Sequence, residues 1–292
     1  MSASPVPDSA SAIPAPALSR RRELGGASAR ALLMTVLGEY VLPRGEPVWT
    51  AVLVEALGLL GVAEKSARQA LARSAAEGWL SPVRHGRRVR WELTGPGRQL
   101  LTDGAQRIYS FGRSPRDWDG RWLLVLVSVP DARRELRHRL RTRLAWAGFG
   151  ALAAGVWVSP DTGREAEARG ILDELGLAGG ALSFLGGYGS VGSPAAVARQ
   201  AWDLDEVGGR YQAFTDAFAG LDPQTGADQL VAQTRLVHAW RGFPFLDPQL
   251  PPELLPADWP GTPAARLFHS RHADWDRGAQ RHWDALLAGP ES

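Results

Sequence analysis

Guanidinium groups are concentrated where duplex DNA could receive them. Arg84, Arg87, Arg88 and Arg90 fall within seven residues, about a His85-Gly86 tip. Just upstream, Lys65, Ser66, Arg68, Gln69 and Arg73 share one side of a segment whose other side is Ala67, Ala70, Leu71 and Ser74. That spacing is helical. Arg pairs bidentately with guanine and Gln with adenine, so such a face can tell base edges apart. An Arg-rich hairpin tip suits phosphates or a narrow minor groove. The plainer alternative is a three-helix interaction domain with a solvated hairpin.

These side chains need a scaffold, and the flanking sequence supplies one. Ser28 is placed to cap a helix carrying Leu32, Leu33, Val36, Leu37 and Tyr40 on one face. Pro43-Arg44-Gly45 breaks it. Trp49, Val52, Leu53, Ala56 and Leu57 form a second helical stripe that ends at Gly58. The third helix runs from about Val62 to Glu77. Alternation from Trp79 to Leu93 about a turn containing Gly reads as a β-hairpin, and Pro96 opens a fourth helix. Helix, helix, helix, hairpin, helix is the order of a winged helix-turn-helix, whose third helix enters the major groove. We place this domain at residues 28–112. Residues 1–27, rich in Ser, Ala and Pro, read as a disordered tail.

The pattern then changes. A strand at Arg121 to Val129 precedes a basic helix at Asp131 to Trp146. Two short strands follow about Gly155, then a helix at Gly163 to Leu175 and a strand at Ala181 to Leu185. The order β-α-β-β-α-β is ferredoxin-like, and we place this central domain at residues 113–198. Residues 199–292 carry only helical stripes and Pro-rich loops, an all-α C-terminal domain. The expected class is therefore α+β and multidomain.

Composition narrows the function. The chain has 292 residues, 33 basic against 31 acidic, and no Cys. Thiolate zinc fingers, iron–sulfur clusters and cysteine nucleophiles are excluded. The balanced total hides an asymmetry. Residues 28–110 carry 11 basic against 7 acidic and residues 111–160 carry 9 against 4, whereas residues 200–292 carry 7 against 13. A basic front and an acidic rear suggest a polyanion partner for the front. No apolar run approaches membrane-span length, and no secretory signal is read; a cytoplasmic location is expected.

Other motifs carry less. Gly187-Tyr188-Gly189-Ser190-Val191-Gly192 matches a dinucleotide fingerprint literally, but no second parallel strand follows; it reads as a connection. His269, His272 and His282 could notionally bind a metal, without the spacing of a known site. No P-loop, nucleophile elbow or kinase signature occurs. No catalytic residue, cofactor or metal is expected.

Taken together, several segments resemble the PaaX family of bacterial transcriptional regulators, over about residues 28–288. In the front they are Ser66-Ala67-Arg68-Gln69-Ala70-Leu71, Gly78-Trp79-Leu80, Gly86-Arg87-Arg88, Leu93-Thr94 with Gly97-Arg98, and Arg107-Ile108-Tyr109. In the middle they are Trp118-Asp119-Gly120-Arg121-Trp122, Ser128-Val129-Pro130, Gly148-Phe149-Gly150 and Gly155-Val156-Trp157-Val158-Ser159-Pro160. The rear adds Trp202-Asp203-Leu204, Tyr211 with Phe214, Leu236-Val237-His238, Phe243-Pro244-Phe245-Leu246-Asp247-Pro248 and Pro256-Ala257-Asp258-Trp259. The resemblance implies a homodimeric repressor on a palindromic double-stranded operator, released by an aryl-CoA thioester such as phenylacetyl-CoA. For such an effector the candidate contacts are Arg133, Arg134, Arg137, Trp202, Tyr211, His238 and Arg241; the basic helix equally suits DNA backbone, the acidic rear of a partner subunit or a solvated face, and His238 reads first as a core or interdomain hydrogen-bond former. The central domain also looks like small ferredoxin-like nucleases of CRISPR adaptation. Those place an Asp at the end of the first strand, where this chain has Ser128-Val129-Pro130, with Asp131 displaced. Metal-assisted hydrolysis needs converging carboxylates. A metal-dependent nuclease, and an interaction protein with no DNA role, are the alternatives.

Overall fold

Ser28 accepts a hydrogen bond from the Ala31 amide at 3.1 Å and so opens helix α1, Ala29–Val36. The computed structural model describes residues 28–113, 117–130 and 132–289; the expected tail at 1–27 lies outside them. At Leu37–Val41 the helix widens into a π-helical turn, a form that often marks functional positions. Helices α2, Thr50–Leu59, and α3, Glu64–Ala76, pack on α1 through Leu33, Val36, Leu53, Leu57, Ala67 and Leu71. The hairpin is β2, Leu80–His85, with β3, Arg88–Leu93; α4 follows at Gly95–Ser110.

One element differs from the sequence reading. Trp49 is not the first residue of the α2 stripe. It lies in a short strand β1, Val48–Trp49, which pairs with β3 so that Trp49 faces Arg90. The sheet order is β1-β3-β2. A two-residue segment looks helical because its apolar side chains continue the helical period; pairing with β3 overrides it.

The central unit comprises β4, Arg121–Val127; α5, Arg134–Trp146; β5, Gly150–Ala153; β6, Val156–Ser159; α6, Glu165–Glu174; and β7, Ala181–Gly187. The sheet runs β5-β6-β4-β7, antiparallel throughout, which is the ferredoxin-like arrangement. Leu123, Val125 and Val127 face α5 and α6. Trp122 and Val158 point to the other side and pack against Ala198 of α7, Pro194–Ala201, and against Leu204, Leu250 and Leu254. Gly155 turns β5 into β6 at φ 77°, and a Cβ there would sit 2.8 Å from the Val127 carbonyl oxygen.

The rear consists of α8, Leu204–Phe218; α9, Gly226–Trp240; the short α10, Phe243–Leu246; and α11, Gly261–Ala288. Their aromatic core joins Tyr211, Phe214, Trp240, Phe243 and Phe268. The front and rear are not separate bodies. Leu230 of α9 and Ala279 and Trp283 of α11 enter the α1–α3 core, and Trp283 stacks on Tyr40 at 5.1 Å.

The start of α4 is fixed by close approach. Thr94 caps it, accepting from Gly97 N at 3.0 Å while donating to the Gly78 carbonyl at 2.6 Å. A Cβ on Gly97 would run into the Trp79 carbonyl. Gly97→Ala is therefore expected to cost about 1–3 kcal/mol by overpacking. Gly104→Ala, in the same helix but facing open space, should gain about 0.5–1 kcal/mol from helix propensity. Urea denaturation of the two variants checks this; equal effects would refute the steric account.

Candidate nucleic-acid interface

Helix α3 divides its residues sharply. Ala67, Ala70, Leu71 and Ser74 are buried, and Ser74 turns its hydroxyl back to the Ala70 carbonyl at 2.9 Å. Lys65, Ser66, Arg68, Gln69 and Arg73 are all exposed. The turn before α3 passes through Gly61 at φ 88°, a conformation that costs glycine least. Arg68 is held by Glu64 one turn earlier, at 2.7 Å, with both side chains more than half exposed. Such a pair is weak, so the guanidinium can exchange Glu64 for a stronger acceptor.

The wing is a two-residue hairpin, with His85 opposite Arg88 and Gly86-Arg87 at the tip. Gly86 has φ 61°, which fits a turn with Gly at its first central position. Arg84, Arg87 and Arg88 are exposed. Arg90 is not a free tip residue. Its guanidinium lies 4.1 Å over the Trp49 ring, and its Nε is buried. His85 meets the same indole edge-on at 5.6 Å. On the neighbouring position Trp91 Nε1 donates to Thr50 Oγ1 at 2.9 Å, and Thr50 donates to the Val89 carbonyl at 3.0 Å. Arg90 therefore packs the wing root against Trp49 of β1. Of the nine residues singled out on this unit, the other eight point outward.

Trp49 and Thr50 were missed as wing supports. The sequence signal was slight, an aromatic two residues after Pro47.

Sequence reasoning also missed Glu39. This carboxylate is 7% exposed and sits in the π-helical turn. Tyr109 of α4 donates to Oε1; His272 Nε2 of α11 lies 2.9 Å from Oε2, and Gln233 of α9 donates to Oε2 at 3.3 Å. Gln233 also donates to Asp276 at 3.2 Å. Arg44 extends the junction, donating to Gln280 at 2.7 Å and to Asp284 at 2.5 Å. Burial and the Glu39 charge raise the Tyr109 hydroxyl well above its usual range, so it stays a donor. His272, considered above as a metal ligand, is here a partner of Glu39.

The candidate effector contacts do not form one site. Arg133 and Arg134 are exposed at the start of α5, with Arg137 half-buried one turn on. Trp202 packs where a side chain on Gly150 would otherwise stand. Tyr211 is buried in the aromatic core, parallel to Phe243 at 4.2 Å, and donates to Asp247 at 2.6 Å. Burial raises the Asp247 carboxyl above the usual range. His238 reaches forward to Thr35 of α1 at 3.3 Å, and Arg241 caps the end of α9. A cavity of about 390 Å³ does open between the central unit and the 248–251 loop, lined by none of these seven. It presents Asp117, Asp119 and Asp161 against Arg164, which disfavours the phosphates of a CoA.

The glycine-rich segment also resolves. Gly187 ends β7, an edge strand, and Pro194 starts α7 on the opposite face of the sheet from α5. It is a connection, with no parallel strand after it among the described residues.

Comparison with known proteins gives a consistent picture. Residues 28–97 match the family model described as PaaX-like protein, residues 115–198 the PaaX protein central Cas2-like domain, and residues 202–285 the PaaX-like protein C-terminal domain. The Transcriptional repressor PaaX of Escherichia coli (strain K12) is 34% identical over 251 residues, covering 82% of this chain and 78% of that protein. In fold, the chain is similar to the solved structure of the uncharacterized protein Rv0674 from Mycobacterium tuberculosis. The TM-score is 0.60 at 23% identity, covering 89% of this chain and 98% of the other.

The His238 contact makes stability depend on pH. Burial, and secondarily Arg241, lower its pKa to about 4, so the ring is neutral in the fold. In the unfolded chain it titrates near 6.5. The unfolded state thus binds the proton first, and stability present above about pH 6.5 is lost as pH falls toward 4. Urea midpoints taken from pH 7.5 to 4.5 should drop less for His238→Gln than for the wild type; parallel curves would show that this ring does not contribute.

Proposed function

Because the chain belongs to the PaaX family, we propose that it is a transcriptional regulator, and specifically a repressor, that holds operator DNA with α3 and the β2–β3 wing. The observation that carries this reading is the sorting of side chains on one winged-helix unit. Lys65, Gln69 and Arg73 on α3, and Arg84 and Arg87 on the wing, are all exposed, while the apolar half of the same elements is consumed by the core. In such a domain the second helix braces and the next one meets base edges from the major groove. Gln69 and Arg73 have the donor geometry for adenine and guanine. Arg84, Arg87 and Arg88 are placed for the backbone, while Arg90 stiffens the strand that presents them.

The finer part of the reading is a homodimer, released from DNA by an acyl-CoA thioester. A two-fold pair presents two reading helices to two half-sites. The edge strand β7 supports self-association. Leu182 and Phe184 on it are 60% and 55% exposed, and Ala181–Gly187 contains no charge or proline, the usual protections of an edge. A neutral strand can pair with its own copy without setting like charges opposite one another. The effector class rests on the family resemblance. To release DNA the effector must bind the DNA-incompetent arrangement more tightly; a hundredfold change in affinity requires about 2.7 kcal/mol of coupling.

Gel shifts with duplexes tiled across the DNA upstream of its own gene test the reading. We expect two copies per site and steep salt dependence. Gln69→Ala and Arg73→Ala should each lose about 1–3 kcal/mol of operator affinity, while binding to mixed-sequence DNA changes much less. Unchanged operator affinity in both variants would remove α3 as the reading helix, and one copy per site would remove the dimer. In a thermal-shift panel of acyl-CoA thioesters, a true effector at one hundred times its Kd should add about 2.7 kcal/mol of stability. Free CoA and the free acids should add far less; a panel without any shift would refute the effector class.

A further inference from the structure

The N-terminal end of α3 is not purely basic. Glu64 opens the helix and is the acid of its first turn. Its side chain and that of Arg68, one turn on, are both more than half exposed. One carboxylate oxygen, Oε1, accepts from both Nε and Nη2 of Arg68, each at 2.7 Å. The two charged ends therefore meet in solvent. They line one open hollow together with Lys65, Gln69 and Ala72. In a winged helix the N-terminal side chains of this helix are the ones that meet base edges.

An acid in the first turn favours the helix macrodipole, and Ala63 at the N-cap offers no side-chain cap. That reason would be met on any side of the turn. Glu64 instead shares the exposed face with Arg68, where a carboxylate brought against phosphates is repelled. For backbone contact the acid is only a loss. Base edges are different. In the major groove cytosine presents a donor, its N4 amine, and guanine presents the acceptors O6 and N7. Guanine O6 and cytosine N4 are paired with each other, at an ordinary hydrogen-bond separation. Arg68 and Glu64 are held at a similar separation. Such an ion pair, laid across a G·C edge, puts guanidinium against guanine and carboxylate against the cytosine amine. Because an exposed pair is weak, shifting it into that position costs little.

We propose that Glu64 is a specificity-determining residue that reads one G·C base pair together with Arg68, Arg68 on the guanine and Glu64 on the cytosine amine. This rests on the DNA-binding reading above and deepens it, by giving the acid of the reading helix a base. The same pair works against other contacts. A phosphate meets the Arg68 guanidinium only with a carboxylate attached to it. Glu64 thus lowers affinity for duplexes in general and raises the choice among them, the repulsive element that specificity calls for.

The test uses the full-length protein and a duplex from upstream of its own gene that the wild type binds, with each base pair replaced in turn. Fluorescence anisotropy gives the ratio of affinities for the parent and the substituted duplex. For the wild type one G·C position should carry a ratio of about five- to 150-fold. Arg68→Ala and Glu64→Ala should each lower the ratio at that same position by about fivefold or more. Glu77→Gln removes an acid from just past the other end of α3 and should leave the ratio unchanged. A ratio between two duplexes cancels any loss of folded protein, so a variant that only weakens the helix does not move it. If Glu64→Ala changes affinity for every duplex alike and keeps the ratio, the acid serves the helix or repels the backbone. The proposal then fails while α3 remains the reading helix. If the two variants lose their ratios at different positions, or at an A·T pair, they do not share a G·C pair and the proposal is overturned. If the wild type shows no base preference at any position, the reading of DNA by α3 falls, and the proposal with it.

Discussion

The buried carboxylate of Glu39 is the constraint on which the arrangement of this molecule turns. An ionised carboxylate out of water is expensive unless its lone pairs are met. Here they are met by groups from three different helices, Tyr109 on α4, Gln233 on α9 and His272 on α11. Each belongs to an element that must be in register for the bond to form. The π-helical turn at Leu37–Val41 lies at the same place and carries Glu39 into that junction. Stacking of Tyr40 on Trp283 fixes the adjacent position. Apolar contact alone would tolerate some sliding of α1 over α11. A buried charge with several fixed donors does not, because losing one partner leaves the remaining groups unsatisfied.

This makes the winged-helix unit and the rear helices one mechanical body, with the ferredoxin-like unit attached elsewhere. The central sheet meets the rear through Trp122, Val158, Leu204, Leu250 and Leu254. Trp259 touches both that cluster and the aromatic core around Tyr211 and Trp240. Any ligand shifts such a body only if it favours one arrangement of these contacts over another. The contacts between units concentrate at two seams, one at Glu39, built from side chains on helices, and one at Trp259, in the loop before α11.

Much of this was legible in the sequence, and the parts that were not share a cause. Periodicity gave the front helices, the hairpin, the β-α-β-β-α-β order and the helical rear, because each depends on local spacing of apolar residues. Where a residue's environment is set by a distant element, local spacing does not decide it. Trp49 continued a helical stripe yet pairs with β3, since the partner strand is 41 residues away in sequence. Glu39 is a polar residue next to an apolar face, and nothing local says that three helices close over it. His238 reads from the sequence as a core or interdomain hydrogen-bond former with an effector contact as the other reading, and Tyr211 lies on an apolar helical stripe. In the fold the Tyr211 hydroxyl donates to Asp247 and the His238 ring meets Thr35, pairings that join residues far apart in sequence.

The arginines illustrate the same limit from the electrostatic side. Only one basic residue other than His is a lysine, Lys65, so residue type says little and position decides. Arg90 and Arg87 are three apart on one hairpin, but strand alternation turns one over Trp49 and the turn leaves the other in water. Arg143 and Arg141 are two apart on one helix, and only the first reaches an acid on α6. A guanidinium that stacks on an aromatic ring or meets a carboxylate has spent its interaction within the fold. One that is exposed, beside like charges and without an acid within reach, raises the self-energy of the free protein, and that energy is recovered only when an anion arrives. The net charge of the chain is nearly zero because its rear is acidic, not because its basic surfaces are individually neutralised. The acid in the rear thus keeps the protein close to neutral without neutralising the basic front locally.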